Sequence, residues 1–174
     1  MADDLSKYDR MIGYVRQGIH YAERIPEAVI ALLLRVGIAG VFWNSGLTKL
    51  AFGAGGAGDD PFTQFGRVLS FDWRISETTF FLFEHEYAVP LLPSHWMAYA
   101  GTTFELLCPV FLVLGLFTRL AVLPLLGMTI VIQTFVYPEL WLTHAFWAGA
   151  LLYLLARGAG ALSLDTLLAR RFLR

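Results

Sequence analysis

A carboxylate stands in the middle of an apolar run. Glu105 lies within Met97–Phe117 (MAYAGTTFELLCPVFLVLGLF), whose 21 residues hold no other charge. As a helix rising about 1.5 Å per residue, that run reaches about 30 Å, the hydrocarbon thickness of a bilayer. A charge at such depth is expensive and usually marks a function. Glu105 is read either as a proton-handling acid or ligand acceptor, or as the structural partner of a second charge. The expected partner is Arg35 in the apolar segment Ala28–Leu50, because mutual neutralisation avoids two isolated charges in lipid. The rival fate for Arg35 is to snorkel to the headgroups. Helical rotation puts Arg35 on one face with Phe42, Gly46 and Lys49. Asn44 and Thr48 fall roughly opposite, with Gly37 and Gly40. The two faces cannot share one cavity.

Further polar groups gather toward the same end of the apolar segments. Asn44 and Thr48 come from the first, Thr102 and Glu105 from the second at an i, i+3 spacing, and Thr129 and Gln133 from the third at i, i+4. His144 opens the fourth, one turn before Trp147. An acid, an amide and a histidine with Tyr137, Trp141 and Trp147 at the mouth would suit a quinone or another amphiphile. Ordinary interhelical hydrogen bonding, at about 0.6 kcal/mol each, accounts for the same residues without a ligand.

Other chemistries are weakly supported. Glu84-His85-Glu86 with His95 is a thin basis for a metal site, because neighbouring side chains diverge, and no metal is assigned. The single cysteine, Cys108, sits in the apolar run beside Pro109. It reads as a small buried side chain, with no CxxC and no internal disulfide. Gly53–Gly58 (GAGGAG) lacks the Lys-Ser/Thr of a phosphate-binding loop and reads as a hinge.

The elements that must position these groups follow from composition. The chain is 57% hydrophobic and 16% charged, with mean hydropathy +0.59, which is membrane composition. A formal net charge of −1 argues against nucleic acid. The expected fold is all-α, an integral membrane four-helix bundle with short amphipathic interfacial helices. Its spans are 28–50, 97–117, 120–137 and 141–157. Residues 1–27 carry Tyr8, Ile12, Val15, Ile19 and Ala22 at three- and four-residue steps; they read as a surface-lying helix or a plain tail. No cleavable leader is apparent before the first span. The long connection, 51–96, holds two Phe-rich interfacial helices, Pro61–Phe71 and Ser76–Tyr87, before Pro90 and Pro93. The short link at Arg119 makes the second and third spans an antiparallel hairpin, and Gly37 and Gly40 on the first span would let a neighbouring helix approach closely. In the tail, 158–174, Ser163 and Asp165 are expected to cap a last amphipathic helix.

Basic residues set the orientation. Lys7, Arg10, Arg16, Arg24, Arg119, Arg157, Arg170, Arg171 and Arg174 lie on one side, against Lys49, Arg67 and Arg74 on the other. The richer side is expected to be cytoplasmic, with both termini inside.

The residues also resemble a known family. Leu34-Arg35 and Trp43-Asn44-Ser45-Gly46-Leu47-Thr48-Lys49-Leu50 in the first span, and Glu105 followed by Gly115-Leu116-Phe117-Thr118-Arg119, are similar to the DoxX family. Gly158-Ala159-Gly160-Ala161-Leu162-Ser163-Leu164-Asp165 completes the pattern. Glu86-Tyr87 through Pro93, Val131-Ile132-Gln133 to Tyr137-Pro138, Trp141 and His144 resemble one bacterial branch whose genes often neighbour those for enzymes making metal-binding modified peptides. The resemblance implies a four-helix protein of the bacterial inner membrane. It also implies a role as membrane subunit or anchor of a redox or metal-stress system, at most a non-catalytic or quinone-binding part of an oxidoreductase. Its partners would be the bilayer, redox or peptide-modifying proteins, and a second copy of the chain. Accessory work in export of a small peptide or metal, and a ligand-free scaffold, are the alternatives.

Overall fold

The computed structural model describes residues 2–52, 61–71, 73–87, 89–90 and 92–172, and the side chains of 2–10 and 61–62 are excluded from the description. The Gly53–Gly58 hinge, Asp72, Arg174 and the Tyr8 side chain fall outside the described residues. The chain is an all-α membrane bundle. Four helices have the length and apolar composition to cross a bilayer: Glu27–Thr48, Ser94–Leu114, Thr118–Val136 and Pro138–Arg157.

The helices are α1 (Ala2–Glu23), α2 (Glu27–Thr48), α3 (Pro61–Leu69), α4 (Glu77–Leu82), α5 (Ser94–Leu114), α6 (Thr118–Val131), α7 (Trp141–Arg157) and α8 (Leu164–Phe172). The most extensive packing joins α2 to α5, followed by α6 to α7, α5 to α6 and α2 to α7. Each spanning helix therefore touches two others, and the four close a ring. Ile38, Phe42, Leu112, Val122, Leu125, Leu151 and Leu154 fill its axis. Leu33, Val36, Leu107, Val113, Leu123, Ile130, Phe146 and Leu152 point outward and are exposed. An outer belt of large apolar groups contacts lipid in a membrane-embedded chain.

The end of the bundle that carries both chain termini, the terminal end, is tied by a polar knot. Gly115 adopts φ +63° and ends α5, with Gly115 N–H to Leu112 O and Leu116 N–H to Phe111 O, a Schellman pair. A Cβ on Gly115 would collide with the Arg35 guanidinium, so only glycine fits. Arg35 Nη2 donates to Leu162 O at 2.6 Å. Asp165, expected to cap its own helix, reaches instead to α6: Oδ1 accepts Phe117 N–H at 2.8 Å and Oδ2 accepts Thr118 N–H at 3.1 Å. Those are unpaired donors of a helix start, and an aspartate suits them. Ser163 alone caps α8, accepting Thr166 N–H.

The opposite, loop end holds a feature absent from the sequence reading. Leu50–Phe52 (β1) pairs antiparallel with Trp73–Ile75 (β2), Leu50 opposite Ile75 and Phe52 opposite Trp73. Three residues a strand is too short for periodicity to reveal. The ladder runs straight into α4: Lys49 O accepts both Ser76 N–H and Thr79 Oγ1–H at 3.0 Å. Ser76 caps α4 through Thr79 N–H. Helix α4 then widens into a π-helical turn, Phe83–Tyr87. A second π turn, Ile132–Val136, ends the third span.

Helix α1 leans on little. Met11, Ile12, Val15 and Ile19 are all exposed. Gly37 and Gly40 also face open space; it is Gly46 that permits close approach, since a Cβ there would stand 3.0 Å from Leu106 Cδ2 and 3.1 Å from Glu105 Cβ. Removing the α6 cap with Asp165→Ala is expected to lower unfolding stability in detergent by about 1–2 kcal/mol. Thermal or denaturant unfolding reads this directly, and Asp165→Asn should lose less.

Candidate functional site

Gly46 brings α2 against α5 where Glu105 points inward. One turn along α2 from Gly46, Lys49 lies on the same inward face, and its Nζ meets Glu105 Oε2 at 2.6 Å. Ser45 completes the cluster, donating to Glu105 Oε1 at 3.1 Å and accepting from Lys49 Nζ at 3.0 Å. A third Nζ contact reaches Ser45 O at 3.3 Å. The side chains are 10% and 3% exposed for Lys49 and Glu105, so the pair is held away from water. It is electrically neutral; the ammonium gives two hydrogen bonds to Ser45, and Glu105 Oε2 meets it as an ion pair without a hydrogen bond of its own.

This cluster forms one wall of a cavity of about 470 Å³. Phe42, Phe83, Met97, Met128, Ile132 and Trp147 supply apolar surface, and Tyr87, Tyr137 and His144 add polar edges. That volume lies within the range of ligand sites, and a mostly apolar lining with a few fixed polar groups is their usual make-up. Opposite the ion pair, the buried His144 bonds through Nδ1 to Gln133 Oε1 at 2.7 Å, and Gln133 Nε2 donates to Pro138 O at 2.9 Å. The π turn that carries Gln133 closes with Tyr137 N–H on Ile132 O; such turns recur at functional sites. Trp147 stands edge-on to His144, centroids 5.1 Å apart, and packs on Phe42 at 5.7 Å.

On the loop side, Tyr137 O–H donates to Glu86 Oε1 at 2.7 Å. That bond, with burial added, raises the phenol above its ordinary value. Tyr87 is raised first by burial and then by the charges of Glu86 and Glu105. Both phenols therefore stay protonated throughout the neutral range.

The structure sorts the expected site residues into three groups. Glu105, Tyr137 and His144 line the cavity, and Gln133 stands just behind His144. Thr102 is buried but off the cavity wall. Asn44, Thr48 and Trp141 are exposed and outside it; the rotation that set Asn44 and Thr48 opposite Arg35 is the reason. Arg35 and Glu105 do not pair. Arg35 is bound at the terminal end to a backbone carbonyl, and the charge that answers Glu105 is Lys49. The sequence carried the signal, for Lys49 shares a helical face with Arg35 and Gly46, but its place at the span's end made it look like a headgroup lysine. Ser45, Tyr87, Phe83 and Met97 had no such signal, since their role depends on the packing of α4 and α5.

The acidic-histidine segment does not assemble. His85 stacks on Phe81 and His95 on Phe80, centroids 4.3 and 4.8 Å apart, while Glu86 serves Tyr137. Among the described residues no three His, Cys, Asp or Glu side chains converge as a metal would need.

In comparison with known families, the chain matches the family model DoxX over residues 30–138. Neither the curated proteins nor the solved structures yield a match. The matched stretch contains Arg35, Ser45, Lys49, Glu105, Gln133 and Tyr137, and stops just short of His144.

Lys49→Met alone should strand the Glu105 carboxylate and cost about 3–5 kcal/mol in unfolding stability. Adding Glu105→Met should recover most of that loss. A double-mutant cycle in mixed micelles checks both, and additive effects would mean that the pair is not coupled.

Proposed function

The chain belongs to the DoxX family, and from that membership we propose that it is the amphiphile-binding membrane subunit of a bacterial redox or metal-stress system, with a quinone-class ring as ligand. It resides in the inner membrane with both termini cytoplasmic. The observation that carries the reading is a built cavity inside the bundle, lined by a neutral ion pair and by an oriented histidine.

Each feature supports that ligand class. A neutral wall neither attracts nor repels charge, so an uncharged head group is preferred over a carboxylate or an ammonium. Aromatic and methionine side chains give a planar ring surfaces to lie against. The lining is otherwise aliphatic, as a ring with a hydrocarbon tail requires. A quinone, when bound, would supply two-electron, two-proton carrying capacity. The protein's own residues hold and orient it, and exclude water through Phe42, Phe83 and Trp147. In this reading the electrons come from a partner protein.

The orientation rests on charge. Arg119, Arg157, Arg170 and Arg171 cluster at the terminal end, and the burial of Lys49 removes it from the opposing side. The asymmetry is larger than the bare count implies, and basic loops stay in the cytoplasm.

Purification in mild detergent, with extraction and mass analysis of bound lipid, tests the reading. The wild type should carry a quinone-class lipid well above the level in a control membrane protein. Gly101→Phe, which fills the cavity beside Phe83 (3.3 Å from a Cβ at 101), should lower it by about tenfold or more. An intact host phenotype with the filled cavity would favour a ligand-free scaffold instead.

A further inference from the structure

Resting on that amphiphile site, we propose that His144 recognises a hydroxyl on the ligand's head group. The cavity then selects a reduced ring, a quinol or alkylphenol, over the same ring with its oxygens capped or oxidised.

Pro138 O has no hydrogen to give, so the Gln133 atom 2.9 Å from it must be the amide nitrogen. That fixes Gln133 Oε1 toward His144, and an amide oxygen only accepts. His144 Nδ1, at 2.7 Å, must therefore carry the ring proton. In the neutral ring, Nε2 is left as a lone-pair acceptor. It has no partner among the described residues, on a side chain that is buried and lines the cavity.

The other polar groups do not compete for this role. Lys49 gives two hydrogen bonds to Ser45 and is ion-paired with Glu105, and Ser45 donates to Glu105. Tyr137 gives its proton to Glu86. An oxidised ring, which only accepts, finds these donors occupied and is left the Trp147 indole N–H and the wall hydroxyls. Tyr87 and Thr143 bring further hydroxyls to the wall, but a hydroxyl both gives and accepts and so discriminates little. His144 Nε2 rewards a donor alone. The orientation is also fixed, since turning the ring over would break the Gln133 bond and move the Trp147 contact.

The test compares three probes on the purified full chain: a short-chain alkyl hydroquinone, its benzoquinone, and its dimethyl ether. The hydroquinone should bind about tenfold more tightly than the ether, the value of one well-placed hydrogen bond. His144→Phe should bring the two within about twofold of each other. Should that variant fail to fold, the wild type answers alone. With histidine-labelled protein, the His144 ring should show a protonated Nδ1 and a bare Nε2 by nitrogen NMR. The Nε2 signal should shift on adding hydroquinone and not on adding the ether. Equal binding of all three probes, or a proton resident on Nε2, would overturn the hydroxyl reading and leave the amphiphile site standing. Failure of every probe to bind would overturn both.

Discussion

A lysine and a glutamate facing each other out of reach of water constrain everything around them. In a medium of low polarity, either charge alone would be intolerable, and the pair is helped by each further hydrogen bond it receives. Ser45 supplies these from both sides, giving to the acid and accepting from the ammonium, while Glu105 Oε2 has the ammonium charge alone. Gly46 lets the two helices come close enough for this, and the β ladder with α4 pins Lys49 by its carbonyl.

The bundle thus has two polar knots at opposite ends of one apolar shaft. The first, around Arg35, Gly115 and Asp165, closes helix termini and joins the tail to the α5–α6 turn. The second, around Lys49 and Glu105, faces the cavity. Most residues that carry the family resemblance at the terminal end serve the first knot, so recognising the family there recognises the scaffold. The second knot and the His144–Gln133 couple face the cavity, and the family model ends before His144.

The four spans and the hairpin turn were legible in the sequence, because hydropathy encodes them directly; the 3.6-residue period separated two faces of α2 without saying which one turns inward. Partners were less so. Arg35 was expected to seek a carboxylate and instead found the carbonyl of Leu162, an acceptor that every residue owns and that no side-chain pattern reveals. Lys49 looked superficial because its position lies at the end of α2, whereas α4 and the ladder cover it. Gly37 and Gly40 carried the right composition for helix contact on the wrong face. The π turns were invisible, since one extra residue per turn leaves the apolar run unchanged.

That extra residue in Ile132–Val136 acts as a phase shifter. A helix advances by about 100° per residue, so deleting one residue there would swing Tyr137, Pro138 and the start of α7 by roughly that angle relative to Gln133. Pro138 would leave the amide and the imidazole would lose its alignment, though every side chain in the couple were still present. The length of this segment is therefore encoded as strictly as its chemistry, and insertions or deletions should be tolerated far less there than substitutions.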